Sequence, residues 1–199
     1  MKEYALFLGC LIPARLPHIE AASIKVLDRL GIKTKDMVDA SCCPDPVVMK
    51  SLDFNSWLAI AARNLSIAEE TGSDILTLCS GCFSTLSKAN HLLKYNAELR
   101  GEVNKLLSEV NRSFSGKISV KHVVEIIRDI GEETIEQHVK KPLKQLKVAS
   151  HPGCHLLRPS NILHVDDPNV PTIQDEIVSW VGAEPVNYAL KMLCCGVGI

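Results

Sequence analysis

The sequence predicts an α/β fold built on mainly parallel sheets. Three observations carry this. Short apolar runs alternate with longer stretches of helical periodicity. Three such runs end directly in cysteine-bearing turns. A pattern of strand, Gly-Cys, helix, strand and Cys-Cys occurs twice. Residues 4–8 read as a short buried strand ending at Gly9-Cys10. Ile19, Ala22, Val26, Leu27 and Leu30 then recur at helical spacing, and Gly31 closes that helix. Residues 32–38 read as a second strand leading to Cys42-Cys43-Pro44. Trp57, Leu58, Ala61, Ala62, Leu65 and Ala68 mark a longer helix ended by Gly72. A third strand over 74–78 runs straight into Cys79-Ser-Gly-Cys82. Helices over 83–93 and along Leu99, Val103, Leu106 and Val110 follow.

The polar stretch 111–116 reads as a loop and divides the chain into domains 1–115 and 116–199. Beyond it come a strand near 117–120, a helix near 121–130 and a charged segment to Pro142. Residues 146–151 read as a strand ending at Gly153-Cys154. Ile173, Ile177 and Val181 mark a helix closed by Gly182, and a short strand near 185–188 leads to Cys194-Cys195-Gly196. In open parallel sheets ligands gather at the carboxyl ends of strands, where these cysteine motifs fall. The repeat pairs Gly9, Cys10, Arg15, Cys42 and Cys43 with Gly153, Cys154, Arg158, Cys194 and Cys195.

Composition narrows the function. With 199 residues, 46% hydrophobic and 23% charged, the chain has enough apolar surface for a packed core. Its 22 basic and 23 acidic residues give a net charge of −1 and no nucleic-acid footprint. No apolar stretch reaches the roughly 20 residues of a membrane span, and the N-terminus carries no signal-peptide pattern, so a cytoplasmic location is expected. In that setting the eight cysteines stay reduced unless they bind metal or act in catalysis.

Cys10, Cys42, Cys43, Cys79 and Cys82 are five thiols. A structural zinc or a cubane iron–sulfur cluster takes four. Adjacent residues of an extended strand point to opposite faces. Cys42 and Cys43 therefore need a bend to share one centre, and Pro44 favours one by holding Cys43 away from helix. Cys79-x-x-Cys82 straddles a strand-to-helix turn, where helix amides stabilise thiolate for metal binding or redox chemistry. Three readings stay open on the residues alone: a zinc module on four of the five, a thiol–disulfide oxidoreductase on the CxxC, and buried inert cysteines.

There are 31 residues between Cys10 and Cys42, and 35 between Cys43 and Cys79. This C-x31-CC-x35-C-x2-C pattern resembles the CCG cysteine-rich domain of the heterodisulfide reductase B subunit, the catalytic one. Cys154-x39-Cys194-Cys195-Gly196 and the segment from His151 to Pro159 are similar to the second CCG domain of that family. The resemblance implies two similar Rossmann-like halves, with the cysteine motifs in loops at strand carboxyl ends. It implies a noncubane [4Fe–4S] cluster on Cys10, Cys42, Cys43, Cys79 and Cys82, with Cys154, Cys194 and Cys195 as three of five ligands to a second. The substrate it implies is the coenzyme M–coenzyme B heterodisulfide of methanogenesis, split between the clusters. The partners it implies are an iron–sulfur C subunit and a flavin-bearing A subunit. A second CxxC at the matching spacing would fall past Ile199, so this chain alone is expected to be inactive.

For catalysis, His155 is a candidate proton donor, with His151 on the other side of Cys154. Arg158 is a candidate anchor for the anionic coenzymes, with Arg15 and Lys191 as weaker ones. The alternatives within the motif family are electron-transfer subunits of lactate, glycolate or succinate–quinone oxidoreductases. Zinc is the alternative metal.

Overall fold

The computed structural model describes residues 3–196. The chain divides into two compact units, Met1–His122 and Val123–Ile199. The first contains β1 (Glu3–Phe7), α1 (Leu11–Arg15), α2 (Pro17–Arg29), β2 (Lys33–Asp36), α3 (Val48–Leu52), α4 (Phe54–Thr71), β3 (Asp74–Thr77), α5 (Ser80–Tyr95), α6 (Ala97–Ser108) and β4 (Val120–His122). Its four strands are all parallel, in the order β2-β1-β3-β4. β1 and β3 lie inside the sheet, and residues 4–7 and 75–77 are buried, the continuous apolar run expected of strands covered on both faces. β2 is an edge, and its exposed Lys33 and Lys35 discourage further strand pairing.

α4 follows directly from its sequence. Asp53 caps it by accepting from the Ser56 N–H at 3.0 Å, and Gly72 ends it at φ 69°. Between these, Trp57, Leu58, Ala61, Ala62, Leu65 and Ala68 form one buried stripe. Together with Phe7, Leu86 and Leu93 they make the core of this unit. Each large apolar side chain so buried is worth about 1.5–3 kcal/mol over its exposed state.

The sequence boundary after 115 moves. Val120–His122 pairs with β3, and the Ile75 N–H donates to the Ser119 carbonyl at 2.9 Å. The strand expected to open the second domain is therefore the fourth strand of the first sheet. A three-residue strand carries no local signal of the sheet it will join.

The second unit contains α7 (Val123–Ile130), α8 (Glu132–His138), β5 (Lys147–Val148), α9 (Cys154–Leu157), α10 (Ser160–Leu163), α11 (Ile173–Trp180) and β6 (Glu184–Pro185). β5 and β6 form a parallel pair of two residues each. α11 packs against α7 and α8. Its start is fixed by Asp166, whose carboxylate accepts from the Thr172 and Ile173 N–H groups, both at 2.8 Å. The charged segment before Pro142 folds as α8, burying only Ile135 and leaving its glutamates in solvent.

The α/β class and the parallel strands are as the sequence predicts, but two similar Rossmann-like halves are not confirmed. Four strands stand in one unit and two short ones in the other, among the described residues. In the second unit only Lys147 and Val148 of the expected strand at 146–151 enter a ladder. No helix among the described residues is long and apolar enough to cross a membrane.

Candidate metal centre

Successive connections take the chain from β1 out to β2 on one side and back past it to β3 on the other. This places the reversal of direction at the carboxyl ends of β1 and β3. Cys10, Cys42, Cys43 and Cys79 lie in the loops beyond β1, β2 and β3, and Cys82 lies in the first turn of α5. Gly9 turns the chain at φ +70°, and a β-carbon there would lie 2.7 Å from Cys82 Sγ. The Cys82 thiol thus occupies the space that glycine leaves. Cys10 begins the turn into α1, and its sulfur lies 3.8 Å from Cys42 Sγ.

The bend required at Cys42-Cys43 is present. Cys42 is exposed and Cys43 is buried, 7% accessible, yet each contacts sulfur neighbours. The Cys10 and Cys42 sulfurs are in contact, Cys43 neighbours Cys42, and Cys43, Cys79 and Cys82 interact with one another. Cys79 and Cys82 flank the first turn of α5. The Cys82 thiol, with the backbone N–H groups of Cys82 and Gly81, lowers the Cys79 thiol to about 6 against the pull of burial. The same Cys82 bond lowers the Cys43 thiol. Cys82, the donor to Cys43 and Cys79, is raised by those two bonds and by its burial. Cys42 is raised to about 12, by partial burial first and then by the neighbouring Cys43.

These residues fit a thiolate-bound metal group. The donor set is all sulfur, which suits iron–sulfur clusters and zinc. The bonds that lower Cys79 favour thiolate, the ligating form. Five gathered thiols are one more than a single tetrahedral ion takes. Among the described residues, no group of three or more His, Cys, Asp or Glu side chains is closed around a single-ion position.

The second set is also gathered. Gly153 turns at φ +71°, nearly matching Gly9, and is likewise followed by a cysteine, a short helix and an arginine. Cys154, Cys194 and Cys195 line a pocket of about 250 Å³ together with His151 and Arg158. Arg158 also donates to the Pro168 carbonyl at 2.9 Å. His155 is half-buried and is not among the residues lining this pocket, where His151 stands. Arg15 is exposed at the end of α1.

Lys191 is committed elsewhere. Its ammonium pairs with Asp175 and donates to the Pro171 carbonyl at 2.9 Å. Asp175 also accepts from the Ser150 hydroxyl, and Tyr188 donates to the Ser150 carbonyl at 2.9 Å. Burial works to raise the Asp175 carboxyl, but the bonds from Lys191 and Ser150 outweigh it and hold the group low. The network ties the loop before Cys194 to α11 and to the end of β5. Lys191 thus braces a cysteine loop and does not face the pocket. Asp175→Asn is expected to cost about 1–3 kcal/mol in a urea titration and to speed alkylation of Cys194 and Cys195.

Sequence reading also passed over Asn64 and Thr85, both fully buried beside the Cys42-Cys43 loop. Their signal was a polar residue on an apolar stripe. Asn64 falls between Ala61 and Ala68 on α4.

Residues 4–87 and 148–199 match the family model for the CCG cysteine-rich domain. The chain is 42% identical over its whole length to the B subunit of the ferredoxin:CoB-CoM heterodisulfide reductase of Methanosarcina mazei, and spans 66% of that protein. It is 33% identical, over 98% of its length, to the 8-methylmenaquinol:fumarate reductase membrane anchor subunit of Wolinella succinogenes, and spans 67% of it. A crystal structure of a hypothetical protein from Helicobacter pylori superposes with a TM-score of 0.66 over 96% of this chain and 34% of the other. At 15% identity that likeness concerns the fold alone. The chain therefore belongs to the CCG cysteine-rich family, beside proteins named as heterodisulfide reductase B subunits, and that membership implies iron–sulfur cluster binding.

Proposed function

We propose that the chain works as the B subunit of a heterodisulfide reductase, cleaving the coenzyme M–coenzyme B heterodisulfide to two thiols. The observation that carries this is the gathering of five thiols beyond the ends of β1, β2 and β3. On this reading Cys10, Cys42, Cys43, Cys79 and Cys82 hold a noncubane [4Fe–4S] cluster. Cys154, Cys194 and Cys195 contribute to a second. When bound, such clusters supply electrons one at a time. The reaction takes two electrons and two protons per disulfide. The iron–sulfur C subunit and the flavin-bearing A subunit are the proposed source of the electrons, and the cytoplasm the proposed location.

The protein's own residues bind and protonate. Arg158 presents a guanidinium at the pocket of Cys154, Cys194 and Cys195, where it suits a sulfonate, phosphate or carboxylate. His155 remains the proton donor proposed from sequence, and His151, which lines the pocket, is its competitor. Substituting each with Asn separates them, because only the true donor's loss moves the pH profile of thiol release. A second reading, an electron-transfer subunit of another oxidoreductase, draws on the similarity to the fumarate reductase protein.

The deciding experiment is iron, acid-labile sulfide and zinc per chain after anaerobic purification, with an EPR spectrum after mild oxidation. About four iron and four sulfide are expected, because the first five cysteines complete one cluster while Cys154, Cys194 and Cys195 supply only three of five ligands to the other. One zinc without iron would overturn the reading. Reduction of the heterodisulfide by the assembled complex then separates the reductase from an electron-transfer protein, which would give none.

A further inference from the structure

We infer that Asn64 and Thr85 are positioning residues for the first cysteine centre, setting the bend that turns Cys42 and Cys43 toward it. The inference rests on the reading that these cysteines bind a cluster. Asn64, on α4, and Thr85, on α5, are both 0% exposed. Asn64 Oδ1 accepts from the Ser41 N–H at 2.9 Å, and its Nδ2 donates to the Cys42 carbonyl at 3.1 Å. Thr85 Oγ1 donates to the Pro44 carbonyl at 2.9 Å.

One amide thus grips an N–H and a C=O on the two residues Ser41 and Cys42, and one hydroxyl grips the carbonyl just after the cysteine pair. Between these grips the backbone cannot relax into an extended strand, in which the two thiols would point to opposite faces. A buried polar side chain gains nothing over leucine or valine unless its partners need it. Here the partners are backbone groups of the cysteine loop. Thr85 also lies one helical turn beyond Cys82 on α5. The helix that presents Cys82 therefore holds the loop that presents Cys42 and Cys43.

Thr85→Val is isosteric and removes only the donor, whereas Thr85→Ser restores it. Each chain is reconstituted anaerobically and its thermal unfolding recorded. Iron retention against a chelator and the EPR spectrum of the oxidised form are then measured. For Thr85→Val, cooperative unfolding is expected with about tenfold weaker iron retention and an altered spectrum, in the range of substitutions that orient metal ligands. Thr85→Ser is expected to match wild type in both. Wild-type retention and an unchanged spectrum in Thr85→Val would overturn the inference while leaving the cluster in place. If Thr85→Val does not fold, Asn64→Ser is judged by the same two criteria. If neither folds and Thr85→Ser does, the two side chains are general supports of the fold and the inference fails. A wild-type chain without iron would instead overturn the cluster reading on which it rests.

Discussion

Gly9→Ala is expected to cost about 2–5 kcal/mol and to strip most of the iron from the first centre. Two separate penalties add. Gly9 sits at φ +70°, where a β-carbon costs about 1–2 kcal/mol. That carbon would also stand 2.7 Å from Cys82 Sγ, and forcing atoms into a packed site costs about 1–3 kcal/mol more. The second penalty falls on a cysteine that is 4% exposed and contacts both Cys43 and Cys79. Relief by moving Cys82 takes it away from Cys43 and Cys79, and relief by moving β1 disturbs a strand with partners on both sides. The measurements are a denaturant midpoint and iron per chain. Gly31→Ala is the control, because Gly31 has φ +76° but nothing within 4 Å of its β-carbon position. It should lose stability by the backbone penalty alone and keep its iron. Equal effects from the two substitutions would remove the contact argument.

Acidification is expected to cost the first unit about 3 kcal/mol through His122 alone. Burial lowers this imidazole from 6.5 to about 4, and a hydrogen bond with the Leu78 backbone offsets only part of that. The ring lies in β4, edge-on to Phe83 at 5.6 Å. Since the folded value lies below the unfolded one, the unfolded chain takes up the proton first. The contribution is full above pH 6.5 and falls away as the pH drops toward 4. At about 1.4 kcal/mol per pH unit the window gives the figure above. Urea midpoints for wild type and His122→Gln between pH 4 and 7 test it. The difference between the two proteins should shrink by that amount toward pH 4. Parallel curves would show that His122 does not titrate on unfolding.

Much of this was legible in the sequence, and the residues show why. α4 announces itself by a six-residue apolar stripe between a capping aspartate and a terminal glycine. The cysteine loops announce themselves because glycine, cysteine and proline restrict the chain locally. What stayed hidden was tertiary. Nothing near Val120 says which sheet it will join, and the division after His122 follows from that pairing. Lys191 is a plausible anion anchor until Asp175, sixteen residues away, takes its charge. The stations of His151 and His155 depend on where α9 begins, a matter of one peptide turning at Gly153. Asn64 reads as an interruption of an apolar stripe until the loop it grips, more than twenty residues earlier in the chain, is placed beside it.

The three loops beyond β1, β2 and β3 bear on kinetics. Any group held by all five thiols would staple together the ends of three neighbouring strands, closing intervals of 31 and 35 residues. Closing a loop of even 15 residues removes about 3 kcal/mol of freedom from the unfolded chain. Such a group cannot leave by the fraying of one loop, because the other two keep hold of it. Its escape would wait for the sheet itself to part, so its lifetime on the protein would follow the rate of global unfolding and not the openness of the surface around Cys10 and Cys42.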